Sequence, residues 1–264
     1  MRLPRCSTSP DHDKHFVLFE VVNEIPSTNA ALLARAGGGD CPFEGYWLIA
    51  DRQSAGRGRS GRVWSDGAGN FMGSTLALLA PGETAPQTLA LVAGLAVHEA
   101  VATLCPGLAH LYLKWPNDLL VGSAKLAGVL LERSGAAIVV GIGVNLAQAP
   151  QVEGRATTSL AELGHPVSRD VFAQVLAERW ALHLAAWHTG QWPVLRARWE
   201  ACAVPRGTLV SVNDKAHGAI MGGFAGIDAD GVAQLRLADG RMLAVHAGDV
   251  DLVGDPAGMT ALST

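Results

Sequence analysis

The sequence predicts an α+β protein in which helices pack on a mixed β-sheet and a small antiparallel β-barrel follows. Three observations predict it. The runs Lys125–Glu132 and Ala136–Leu146 are apolar almost throughout, as strands covered on both faces are. The segments from about Gln87 to Leu104 and from Arg169 to His188 read as helices, the second with Trp180, Leu184 and Trp187 at helical spacing as core residues. After Pro205–Gly207 the pattern changes to short alternating runs, separated at hairpin spacing by Asn213–Asp214, Asp228–Gly231 and Ala238–Gly240.

In chain order, Phe16–Val22 reads as a strand, and Ser27, Thr28 and Asn29 stand before the helix-forming run Ala30–Ala36, which Gly37–Gly39 ends. One of the three polar residues is sufficiently explained as a cap; all three together also suit a polar ligand. Tyr46–Ala50 and Asn70–Leu79 read as strands, Pro81–Pro86 as a turn, and Leu89–Leu104 as a buried helix whose His98 and Glu99 face solvent. Leu111–Val121 forms two short strands around Pro116, Asn117 and Asp118, which a turn explains, whereas Lys114 between apolar residues is unexplained. Lys125 at a strand end is ordinarily a solvated edge charge. Ser168 caps the helix from Arg169, and a further helix spans Trp192–Cys202. Six short runs then make the barrel: Leu209–Val212, Ala219–Met221, Phe224–Ile227, Val232–Leu237, Met242–Val245 and Val250–Val253. Residues 1–15 are expected to be disordered, 16–204 to form the main domain, and 205–264 the barrel domain.

Composition narrows the function. A chain of 264 residues, 49% hydrophobic, can bury a full core. Its net charge of −4 creates no field for nucleic acid or an anionic membrane. Cys6, Cys41, Cys105 and Cys202 are scattered, so neither zinc nor a disulfide framework is indicated, and a reducing cytoplasm fits. The N-terminus lacks the apolar core of a secretory signal, and Leu89–Leu104 is short of a membrane span.

Positive charge is concentrated in Asp51–Trp64, where Arg57, Arg59 and Arg62 alternate with Gly56, Gly58 and Gly61. Glycines let backbone approach a ligand, and guanidinium forks bind carboxylate or phosphate oxygens two at a time. The spacing formally matches a dinucleotide turn, but the residues that follow are too rich in glycine and turn formers to open the required helix. A solvated arginine loop is the main competing reading.

Taken in order, Ser27-Thr28-Asn29, GRGRSGRVW at 56–64, KWPND at 114–118, KLAG at 125–128 and GIGVN at 141–145 resemble the motifs of the biotin protein ligases. The likeness runs from about Phe16 to Val253. It implies a class II synthetase-like catalytic domain with an SH3-like C-terminal barrel, and the ATP-dependent formation of biotinyl-5'-AMP before transfer of biotin to a lysine of a biotin carboxyl carrier domain. By resemblance, Ser27, Thr28, Asn29 and Gln53 contact biotin, and Arg57, Gly58 and Arg59 close over biotin and its adenylate. Lys125 reaches the carboxylate and α-phosphate and, with Arg57 and Arg59, is catalytic. Arg59, Arg62, Trp64, Lys114, Asn117 and Asn145 lie toward ATP, and Asp118 helps to hold Mg²⁺. Members with a DNA-binding domain carry it before the catalytic domain; only 26 residues precede Ser27 here, so an enzyme that binds no DNA is expected. The resemblance is compatible with a monomer or a homodimer. Other readings are a lipoate or octanoate ligase of the same fold, whose motifs are absent, and a non-enzymatic biotin or nucleotide sensor, which an intact Lys125 and loop disfavour.

Overall fold

A seven-stranded sheet organises the larger part of the chain. The computed structural model describes residues 17–38, 42–65, 67–80, 85–214, 218–246, 248 and 250–254. The strands are β1 (Leu18–Ile25), β2 (Tyr46–Gln53), β3 (Phe71–Leu78), β4 (Leu111–Lys114), β5 (Asp118–Val121), β6 (Ala124–Ser134) and β7 (Ala137–Val144). Their order is β1-β2-β3-β7-β6-β5-β4. β1 and β2 run parallel and all other pairs antiparallel, so the sheet is mixed as expected.

Alternation along each strand divides the side chains between two apolar layers. Tyr46, Leu48, Leu76, Ala137 and Val139 meet Leu32 of α1 (Thr28–Gly37) on one face. Trp47, Ile49, Ala77, Ile138 and Val140 join the larger core on the other. That core is built on α2 (Leu89–Leu104), α3 (Arg169–His188) and α4 (Trp192–Cys202). Trp180, Leu184 and Trp187 are buried there, and truncating such a leucine to alanine costs about 2–5 kcal/mol. Ser168 caps α3 by accepting a hydrogen bond from the Val171 amide.

The remaining strands, β8 (Leu209–Asp214), β9 (Gly218–Ile227), β10 (Ala233–Arg236), β11 (Met242–Val245) and β12 (Val250–Leu252), form a five-stranded antiparallel sheet in the order β11-β10-β9-β8-β12. It docks on the first unit through backbone carbonyls: Trp115 Nε1 donates to Gly231 O at 2.9 Å, and Lys114 Nζ to Val250 O at 2.6 Å. Gly231, at φ +78°, lets the β9–β10 turn approach Leu91 of α2 more closely than a side chain would allow.

Three expectations need correction. Ala219–Met221 and Phe224–Ile227 are one strand, continued through Gly222 and Gly223, where a Cβ at Gly222 would lie 3.0 Å from the Arg236 carbonyl oxygen. His98 and Glu99 do not face solvent: Glu99 turns toward α3 and α4, pairing with the fully buried His183 at 3.0 Å and with Arg198 at 2.5 Å. The first strand begins at Leu18 and runs on to Ile25, and Phe16 lies outside the described residues. Also outside them are residues 1–15, Cys6, Cys41 and most of the Pro81–Pro86 turn; Cys105 and Cys202 are free thiols.

Candidate active site

The site is assembled where α1 begins, where β6 and β7 run side by side, and where the glycine–arginine hairpin crosses them. Ser27 caps α1, accepting a hydrogen bond from the Ala30 amide, which frees Thr28 and Asn29 for contacts with the sheet. Both are buried. Gln53 Oε1 accepts from the Thr28 amide at 2.8 Å and from its hydroxyl at 3.2 Å. Ser74 lies 2.7 Å from the Thr28 hydroxyl and donates to Asn29 Oδ1 at 2.6 Å, while Asn29 Nδ2 donates to Glu132 at 2.8 Å.

The strand pair supplies a narrow floor. At Gly141 a side chain would overlap the Asn29 amide, and at Gly143 it would overlap the Trp64 indole. These glycines of GIGVN are therefore there for the absence of a Cβ, one beneath the polar end and one beneath the aromatic end.

The loop after β2 is a short hairpin. Trp64 N donates to Gly56 O and Gly58 N to Arg62 O, around a turn in which Ser60 and Gly61 have φ of +57° and +74°. Arg59 Nη1 reaches Asn117 Oδ1 at 3.2 Å and Nη2 reaches Gly248 O at 3.4 Å, tying loop, KWPND segment and C-terminal sheet together. Asn117 in turn donates to Val129 O at 2.7 Å.

Asp118 is the electrostatic centre. Its carboxylate lies 2.5 Å from Lys125 Nζ and 3.2 Å from Lys114 Nζ, and all three side chains are largely buried. Burial opposes ionisation of Asp118, but the two ammoniums outweigh it and hold the carboxyl below its ordinary range. Burial, aided by Lys114 and Arg155, draws Lys125 below the usual lysine value against the pull of Asp118. Lys125 also stands over the Trp64 ring, 5.7 Å from its centroid. Its backbone is fixed by a bond from Lys125 N to Ala156 O and from Thr158 N to Lys125 O, and Asn145 Nδ2 donates to Thr158 O at 3.1 Å.

Asp118, expected to help hold Mg²⁺, has each carboxylate oxygen paired with an ammonium, and no group of three or more His, Cys, Asp or Glu able to hold a metal occurs among the described residues.

All fourteen residues expected at the site on sequence line one cavity of about 150 Å³. They are joined there by residues the sequence did not single out, among them Val129, Leu130 and Arg155. Ser74 and Glu132, which hold Asn29, were likewise missed; the hydroxyl pair Ser74–Thr75 inside the apolar strand Phe71–Leu78 was the available signal.

Comparison with known proteins agrees with this arrangement. Residues 41–147 match the biotin/lipoate A/B protein ligase family and residues 209–253 the biotin protein ligase C-terminal domain. The chain is 39% identical to the biotin–[acetyl-CoA-carboxylase] ligase of Paracoccus denitrificans over 82% of its own length and 93% of that protein. It is 37% identical to the Mycobacterium tuberculosis enzyme of that name over 88% and 87%, respectively. The biotin protein ligase of Aquifex aeolicus in complex with biotin and ATP superposes with a TM-score of 0.77 at 29% identity, over 90% of this chain and 99% of that one. Motifs, fold and relatives together place the chain in the biotin protein ligase family.

Proposed function

We propose that the chain activates biotin with ATP to biotinyl-5'-AMP and passes the biotinyl group to a lysine of a carboxylase carrier domain. The observation that carries this reading is the convergence, in one cavity, of a polar cradle at Ser27–Asn29 and Gln53, a cationic hairpin at Arg57–Arg59, and Lys125. The reaction needs no nucleophile from the protein.

A carboxylate attacking the α-phosphate brings two anions together. Lys125 and the hairpin arginines are the counter-charges that lower the barrier to this encounter and stabilise charge on the phosphoryl group. Asp118 sets the position of Lys125 and Lys114 and keeps two buried ammoniums compatible with each other. The biotin rings would lie in the apolar slot between Gly128–Leu130 and Gly141–Gly143, with Thr28, Asn29 and Gln53 as hydrogen-bond partners. Trp64, stacked on the glycine floor, offers its other face to the adenine. Asn145 acts through the backbone of Lys125 and its neighbouring loop, a bracing role in place of direct contact with the nucleotide. The hairpin shields the mixed anhydride from water until the acceptor amine attacks its carbonyl carbon and AMP leaves with the electron pair.

Incubation with ATP, magnesium, biotin and a carrier domain, followed by streptavidin detection, tests the reading. Labelled carrier is expected. Lipoate transferred in place of biotin would overturn it in favour of the sister activity.

A further inference from the structure

Glu132 stands outside the biotin cavity, half-buried on β6, at one end of a chain of hydrogen bonds whose other end is Thr28, a residue of the cavity wall. The chain runs from Glu132 to Asn29 at 2.8 Å, to Ser74 at 2.6 Å and to Thr28 at 2.7 Å. Asn29, Ser74 and Thr28 are all buried. Groups so enclosed depend on one another for hydrogen bonds, so each proton of the chain has a definite place.

Counting donors locates them. A carboxylate accepts and does not donate, so the side of Asn29 turned to Glu132 is its NH2 group, which also reaches Leu130 O at 3.4 Å. Asn29 therefore presents its carbonyl oxygen to Ser74, and the single Ser74 proton is used there. The Ser74 oxygen must then accept the proton of the Thr28 hydroxyl. Thr28 has one hydroxyl proton and two oxygens within reach, and the count gives that proton to Ser74. Gln53 Oε1, at 3.2 Å from the hydroxyl, keeps the Thr28 amide at 2.8 Å. Lone pairs are all that the Thr28 hydroxyl has left for a ligand. At that point the cradle takes an N–H and disfavours a group that itself offers only lone pairs.

We propose that Glu132 is a positioning residue for biotin, fixing Thr28 Oγ1, through Asn29 and Ser74, as the acceptor for a ureido N–H. The assignment rests on the ligase reading above and adds to it a residue outside the cavity that sets the polarity inside. A donor in place of Glu132 would invert every step. Asn29 would turn its oxygen outward, its NH2 group would donate to Ser74, and Ser74 would donate to Thr28. The Thr28 proton would then be released toward Gln53 and the cavity.

Calorimetric titration of the full chain tests this, using biotin and the two cyclic carbamates in which a ring oxygen replaces one or the other ureido N–H. Glu132→Gln still offers Asn29 a carbonyl oxygen, so it should bind biotin within about twofold of wild type. Glu132→Ala leaves Asn29 only Leu130 O and should weaken biotin severalfold, and Glu132→Lys, which inverts the chain, by about tenfold or more. One of the two carbamates should bind wild type about tenfold or more weaker than biotin. That preference for the urea should persist in Glu132→Gln, shrink in Glu132→Ala and vanish in Glu132→Lys, so the remaining variants carry the test should one melt early. A merely structural or electrostatic role for Glu132 would group Gln with Ala and weaken urea and carbamate alike. Glu132→Gln losing as much biotin affinity as Glu132→Lys, or a urea preference equal in all the variants, would overturn the proposal. Failure of the ligase reading looks different: the wild-type protein would bind neither biotin nor either carbamate, and the proposal would fall with it.

Discussion

Asp118 on β5 stands between two lysines, 2.5 Å from Lys125 at the start of β6 and 3.2 Å from Lys114 at the end of β4. Three charged groups in a largely buried place are tolerable only together, and this dependence gives the first prediction.

Asp118→Asn should destabilise the protein by about 3 kcal/mol at neutral pH, because it leaves two ammoniums without their counter-charge. The folded carboxyl titrates below its ordinary value of 3.8, so its stabilisation is complete above that value and disappears as the pH falls through the lower folded one. Urea unfolding of both proteins across the acid range is the check. The gap should close toward low pH; a gap independent of pH would contradict the pairing.

Gly143→Ala should displace the Trp64 indole, and Gly141→Ala the Asn29 amide. The first is expected to raise the Kd for ATP more than that for biotin, and the second the reverse, each by about tenfold. Equilibrium binding of each ligand to each variant decides it, and equal losses of both ligands would mean that the two glycines do not serve separate ends of the cavity.

Arg59→Ala removes the bonds to Asn117 and Gly248 that fasten the hairpin. Retention of biotinyl-5'-AMP should fall by about tenfold or more, and the released adenylate should label bystander lysines. An unchanged off-rate for the adenylate would count against a covering role.

Trp115→Phe keeps an aromatic six-membered ring but removes the pyrrole portion of the buried indole and with it the hydrogen bond to Gly231 O. A stability loss of about 1–3 kcal/mol is expected, with earlier proteolytic cleavage near the junction at Pro205–Gly207. Cleavage at the wild-type rate would show that docking does not depend on this bond.

Much of this was legible in the sequence because periodicity reports burial. The tryptophans of α3, the apolar strands β6 and β7 and the hairpin turns of the C-terminal sheet were found from spacing alone. Contacts between distant elements were not. Glu99 has a helical position that spacing assigns to solvent, and only the packing of α3 and α4 reveals its pairing with His183. Asp118 read from its neighbours as a turn residue because its two lysines, at sequence distances of four and seven, meet it only once β4, β5 and β6 are laid side by side. Arg155 carries no local pattern at all; its place follows from backbone bonds between its loop and Lys125.

Biotin-dependent exchange of labelled pyrophosphate into ATP by the Lys125→Ala variant measures the central step alone, without carrier or transfer. With the fold retained, exchange should fall by about a hundredfold or more, the loss expected for a preorganised charge at the reacting phosphorus. Exchange at the wild-type rate would contradict the account, since carboxylate and phosphate would then be meeting without the amine placed between them.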